Sequence, residues 1–87
     1  MANVWIPHAM QNITHGQEVV NVEGKNLRQL IDQLELKYPG MKQALMNGGN
    51  LKPDIAVAVD GHTSKLGLLQ AVTEKSEVYF VPALSGG

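Results

Sequence analysis

Leu27, Leu30, Ile31 and Leu34 fall at i, i+3, i+4 and i+7, the spacing that lines one side of a helix with apolar side chains. A helix with one apolar side has to lay it on another element, and the rest of the chain offers mainly short, β-branched runs. The stripe therefore dictates one helix packed on a small sheet. Asn26 is suited to cap that helix, and Gln29, three residues on, to complete a capping box. Pro39-Gly40 closes it after Lys37-Tyr38.

Around the helix, Val4-Trp5-Ile6 reads as a first strand stopped by Pro7. Residues 8–16 are polar and end in His15-Gly16, as a loop that turns back does. Residues 18–22 read as a second, antiparallel strand with Val20 and Val22 on one face. Residues 41–46 suggest another short helical turn, and Asn47-Gly48-Gly49-Asn50 a loop. Residues 55–59 are apolar on both faces, like a central strand, and Asp60-Gly61 ends them in a tight turn. Leu66, Leu68, Leu69 and Val72 are expected to anchor a mostly irregular stretch. The last strand, residues 77–81, is stopped by Pro82, and Ala83-Leu84-Ser85-Gly86-Gly87 leaves the domain. The order predicts an α+β fold, a mixed sheet with one main helix across it: residues 1–82 form the domain and 83–87 a flexible tail.

With 87 residues there is room for one core, and with Trp5, Tyr38, Tyr79 and Phe80 as its aromatic residues that core must be mainly Val, Leu and Ile. A formal net charge of −1, with acidic and basic residues interleaved, leaves no basic stripe for nucleic acid. No apolar run nears the roughly 18 residues of a membrane span, and Met1-Ala2-Asn3-Val4 lacks the basic and apolar start of a signal peptide. A cytoplasmic protein is the expectation. The absence of cysteine excludes disulfides, thiolate metal sites and a thiol nucleophile.

The element order, with a last strand running into a terminal Gly-Gly, resembles the ubiquitin-like β-grasp fold, and more narrowly the ThiS/MoaD family of sulfur carriers. The resemblance rests on Val4-Trp5-Ile6-Pro7, on residues 27–34 followed by Tyr38-Pro39-Gly40, on Val57-Ala58-Val59-Asp60-Gly61, and on residues 77–87. Lys75-Ser76 stands where the family commonly has Gly-Asp before the last strand, and residues 8–16 follow the family loosely.

The resemblance implies that the working group is the C-terminal carboxylate of Gly87. In such carriers a separate adenylating enzyme of the ubiquitin-activating type couples that carboxylate to AMP, and a sulfur donor then displaces AMP to leave a thiocarboxylate. The logic is general: a carboxylate is a poor electrophile until it gains a better leaving group, and a covalent intermediate divides one hard transfer into easier steps. The chain is thus expected to be a protein co-substrate, with no cofactor of its own and ATP used by the partner. Lacking cysteine, it has only the terminal carboxyl on which to carry sulfur. Two glycines without Cβ can thread a narrow channel, and residues 83–87 reach roughly 17 Å when extended.

A sulfur-accepting biosynthetic enzyme is the second expected partner, with cysteine or a related thiol amino acid, molybdopterin and the thiamine thiazole as destinations. The residues at the two ends and at the helix exit look most like the cysteine-type carriers. Alternatives are a ubiquitin-like modifier joined to lysines through Gly87 and a small subunit of a molybdopterin-synthase-type complex. Alternation along the last strand separates Val78 and Phe80 from Tyr79 and Val81. By the same resemblance, the first pair points into the core. Tyr79 and Val81, with Pro82 and Leu84, then form an exposed apolar patch beside the tail, and Ser85 and Gly86 complete the partner-binding set.

Bland readings suffice for the remaining motifs. His8, His15 and His62 lie in separate loop-like segments without metal-ligand spacing. Met10, Met41 and Met46 read as gap-fillers, and residues 47–50 lack the Lys-Ser/Thr of a phosphate loop. No Ser-His-Asp or paired-carboxylate constellation points to an independent enzyme.

Overall fold

The computed structural model describes residues 1–83. Its strands are β1 (Ala2–Trp5), β2 (Val19–Val22), β3 (Met46–Asn47), β4 (Asn50–Leu51), β5 (Ile55–Val59), β6 (His62–Thr63) and β7 (Glu77–Pro82). Its helices are α1 (Leu27–Lys37) and α2 (Met41–Leu45), with 3₁₀ turns at His8–Met10 and Gly67–Leu69. Five strands form one mixed sheet in the order β2-β1-β7-β5-β6, and β3 and β4 form a separate two-stranded hairpin. The first and last strands lie side by side and parallel at its centre, Trp5 opposite Tyr79, while β5 runs antiparallel to β7. This is the α+β, β-grasp arrangement that the element order implied.

The core lies between the sheet and α1. All four residues of the helical stripe are buried, and they meet Val4, Val20, Val22, Val57, Val78 and Phe80 from the sheet within one cluster. Each such side chain is worth about 1.5–3 kcal/mol when fully buried. Asn26 caps α1 by accepting from the Gln29 N–H at 2.9 Å. The Gln29 side chain reaches one residue beyond the cap and accepts from the Lys25 N–H at 2.8 Å. Gly24 lets this corner close, because a Cβ there would come within 3.0 Å of the Leu30 amide nitrogen. The short α2 has no capping side chain of its own. Glu35 of α1 takes that role, accepting from the Lys42 N–H at 2.9 Å and the Gly40 N–H at 3.1 Å.

Several expectations shift. The first strand starts at Ala2 and ends at Trp5, although the Ile6 N–H still reaches the Glu18 carbonyl at 2.8 Å. Gly48-Gly49 is the tip of the β3–β4 hairpin. Pro82 does not stop the last strand: it pairs with Ile55, and the Ala83 N–H donates to the Asp54 carbonyl at 2.8 Å. Proline is tolerated there because β1 pairs with β7 no further than Tyr79, so no strand on that side asks for its missing N–H. Asp60 and Gly61 both take positive φ, 51° and 86°, as the two-residue hairpin turn between β5 and β6 requires.

The clearest correction concerns the leucines. Val72 is buried and Leu68 packs partly on the core, but Leu66 and Leu69 are 60% and 78% exposed. A 3₁₀ turn places residues three apart on the same side, so when Leu68 faces inward Leu66 and Leu69 stand out together. Among the described residues, no helix is long and apolar enough to cross a membrane.

Candidate functional site

The sequence placed the working end at the tail, so the site is built from the strand that delivers it. Along β7, Val78 and Phe80 are 0% and 8% exposed, while Tyr79 is 38% exposed and Val81 half-buried. That is the division expected from alternation. Since β7 is bonded to β1 on one side and β5 on the other, its direction is fixed by two ladders.

The outward face carries more than the sequence reading found. Trp5 sits opposite Tyr79, and the two rings stack with centroids 5.4 Å apart and planes at 12°. Glu77 holds the tryptophan of that pair in place. One carboxylate oxygen accepts from the Trp5 indole N–H at 2.9 Å and the other from the Asn3 amide at 2.6 Å, while Asn21 donates to Asn3 in turn. The Glu77 amide donates to the Asp60 side chain at 2.9 Å. An aromatic pair with one ring held by a hydrogen bond and the other stacked on it loses little entropy when a partner covers it. Trp5 and Glu77 were missing from the expected site. The available signal was alternation in β1, which puts Asn3 and Trp5 on one face, but their partner across the sheet follows only from the parallel pairing of the two chain ends.

Tyr79 and Val81 share the outer face, whereas Pro82 has the parity of Val78 and Phe80. Past the end of the core Pro82 is exposed and lines a groove of about 370 Å³ with Pro7, Met10, Ala44, Ile55 and Phe80. The apolar surface therefore wraps around the end of the sheet where the chain leaves. Leu84, Ser85, Gly86 and Gly87 lie outside the described residues.

Ser76 explains how the chain manages without Gly-Asp before β7. Its hydroxyl accepts from the Thr73 N–H at 2.9 Å and its carbonyl accepts from the Asn3 N–H at 3.0 Å, so this buried serine closes the turn and ties it to β1. The His15 ring centroid lies 5.9 Å from that of Tyr38, and His62 contacts the Asp60 carbonyl at 3.1 Å. Among the described residues, no three His, Cys, Asp or Glu side chains are placed to hold a metal ion.

Comparison with known proteins agrees with this geometry. The model of the ThiS family matches residues 4–87. The sulfur carrier protein CysO of Mycobacterium tuberculosis is 30% identical over 89 aligned residues, which cover 97% of this chain and 96% of that protein. The crystal structure of the Amycolatopsis orientalis BexX/CysO complex contains a chain that superposes with a TM-score of 0.91 at 27% identity, covering 100% of both. The small archaeal modifier protein 1 of Methanosarcina acetivorans shares the fold, with a TM-score of 0.79 at 20% identity over 99% of this chain and 95% of that one.

Proposed function

The chain belongs to the ThiS family, and from that premise we propose that it is a sulfur-carrier protein acting through the carboxylate of Gly87. The observation that carries the reading is the nearly full-length likeness, in sequence and in structure, to proteins named CysO, one of them named a sulfur carrier. The chain acts as the co-substrate of a separate adenylating enzyme of the ubiquitin-activating type. The Gly87 carboxylate attacks the α-phosphorus of ATP, pyrophosphate leaves, and an acyl-adenylate forms. A sulfide-equivalent donor then adds to that carbonyl carbon and expels AMP, leaving the thiocarboxylate.

The geometry supports this division of labour. The Ala83 N–H is bonded to Asp54, and from there residues 84–87 span at most about 14 Å when extended. That length carries the acyl end into an enzyme channel while the Trp5–Tyr79 face, Val81, Pro82 and Leu84 rest on the enzyme's rim, with Ser85 and Gly86 inside. A sulfur-accepting biosynthetic enzyme uses the same end afterwards. Of the three destinations, the cysteine-type pathway has the most support, because the relatives that match over the whole length are CysO proteins. The likeness to archaeal modifier proteins is one of fold, so conjugation to lysines has no observation of its own.

The test is incubation of the chain with an adenylating enzyme, ATP and sulfide, followed by mass analysis of the C-terminal peptide. The expected product has one oxygen replaced by sulfur at Gly87, and the reaction is lost in Gly87→Ala and in a chain extended by one residue, both of them folded. Full activation of the uncleaved extended chain would overturn the proposal.

A further inference from the structure

We propose a second docking site, on the flank of β5 away from the outer sheet face, that takes a peptide segment of a partner protein combining acidic and apolar side chains. It rests on features that the sulfur chemistry does not use. The exposed Leu66 and Leu69 stand beside a groove of about 630 Å³ that is also lined by Ile55, Arg28, Lys52 and Lys65. Among the described residues, no Asp or Glu lines it. The chain as a whole carries 7 Lys and Arg against 8 Asp and Glu, so three cations around one apolar groove with no carboxylate among them is a local departure. The charge selects an anionic occupant and the leucines an apolar one.

The leucines are held in this exposed position. The Leu69 N–H donates to the Leu66 carbonyl at 3.1 Å, the Leu66 N–H to the Ser64 hydroxyl at 3.0 Å, and the Gln70 carbonyl accepts from Leu27 at the start of α1 at 2.9 Å. The turn is thus fastened to the helix at its base, and its apolar tips present a preorganised surface. Space for a segment exists because β6 pairs only with Ala58 and Val59, leaving the Ile55 half of β5, bonded to β7 on its other side, without a strand on the edge that continues from β6.

Other occupants fit less well. Among the described residues, the groove offers no aromatic ring on which a base could stack. A second copy meeting it across a two-fold axis would bring like charges together. A membrane surface calls for an amphipathic helix, and here there is a 3₁₀ turn of three residues.

The test is selection of a displayed library of random peptides on the full-length chain, with the best peptide then labelled for fluorescence anisotropy. Enriched peptides are expected to join Asp or Glu to Leu, Ile, Val or Phe. Binding should weaken about tenfold or more in Leu66→Ser/Leu69→Ser and also in Arg28→Glu/Lys65→Glu, residues absent from the tail-side groove, with circular dichroism showing both variants folded. The proposal fails if no peptide is enriched, if the enriched peptides are basic, or if they bind the variants as well as the parent. It also fails if anionic lipid vesicles or single-stranded RNA bind the groove more tightly than the peptides, or if sedimentation shows a dimer that Leu69→Ser disperses. None of these outcomes bears on whether Gly87 is thiocarboxylated, which the mass experiment reads separately.

Discussion

The strand β7 and the loop carrying Leu66 and Leu69 both present apolar side chains to water, and they do so for different reasons. In β7 the exposed residues are the alternate partners of buried ones: Tyr79 faces out because Val78 and Phe80 face in. In the loop, a single 3₁₀ turn sends Leu68 inward and leaves its neighbours with nothing to cover. Surface on a central strand is therefore coupled to the stability of the whole fold, whereas surface on a fastened turn is nearly free to vary. The comparison can be broken by substitutions along this gradient.

The largest effect is expected at Phe80. It is buried at the centre of the sheet, and cutting it to alanine leaves a cavity between sheet and helix, at a cost of about 3–5 kcal/mol. For a domain of this size that is a large share of the total stability. Chemical denaturation followed by tryptophan fluorescence measures it directly, and activation at Gly87 should fall in step with the folded fraction. A loss below about 1 kcal/mol would mean that the two faces of β7 are not divided as described.

Tyr79→Ala comes next and separates folding from recognition. The stack on Trp5 is worth about 0.5–1.5 kcal/mol beyond area burial, so the melting temperature should drop modestly. The apparent KM for the adenylating enzyme should rise about tenfold if the held aromatic pair is an interface anchor. An unchanged KM with a lowered melting temperature would reduce Trp5–Tyr79 to a structural pair.

What could be read in advance follows the same gradient. The α1 stripe, the Asn26 cap, the Asp60-Gly61 turn and the division of Val78 and Phe80 from Tyr79 and Val81 were legible because each rests on a local period or on one residue's backbone preference. Of the site, the outward position of Tyr79 and Val81 came from the family resemblance, since alternation divides the two pairs without saying which is buried. Trp5 and Glu77 were not, since the parallel pairing that brings residue 5 beside residue 79 depends on the closing of the whole chain. Pro82 was misjudged as a stop because proline's missing N–H matters only where a neighbour strand needs it, and that neighbour ends at Trp5. Leu66 and Leu69 were expected inside because hydrophobicity was the only signal available. Nothing in a run of leucines says that a 3₁₀ turn will divide them.

Leu69→Ser should have the smallest effect on the fold and sharpens the comparison most. At 78% exposure the side chain has little burial to lose, and surface substitutions of this kind usually stay within about 0.5 kcal/mol. The backbone bonds that hold the turn do not involve its side chain, so the exchange protection of α1 at Leu27 should also persist. A single exposed leucine, such as Leu36, needs no explanation, but Leu66 and Leu69 standing together on one groove do, and this is why the pair points to a partner. If Leu69→Ser instead lowered the denaturation midpoint as far as Tyr79→Ala does, the turn would be packed more tightly than described. The case for a free apolar surface beside β5 would then fail along with the distinction between strand and loop.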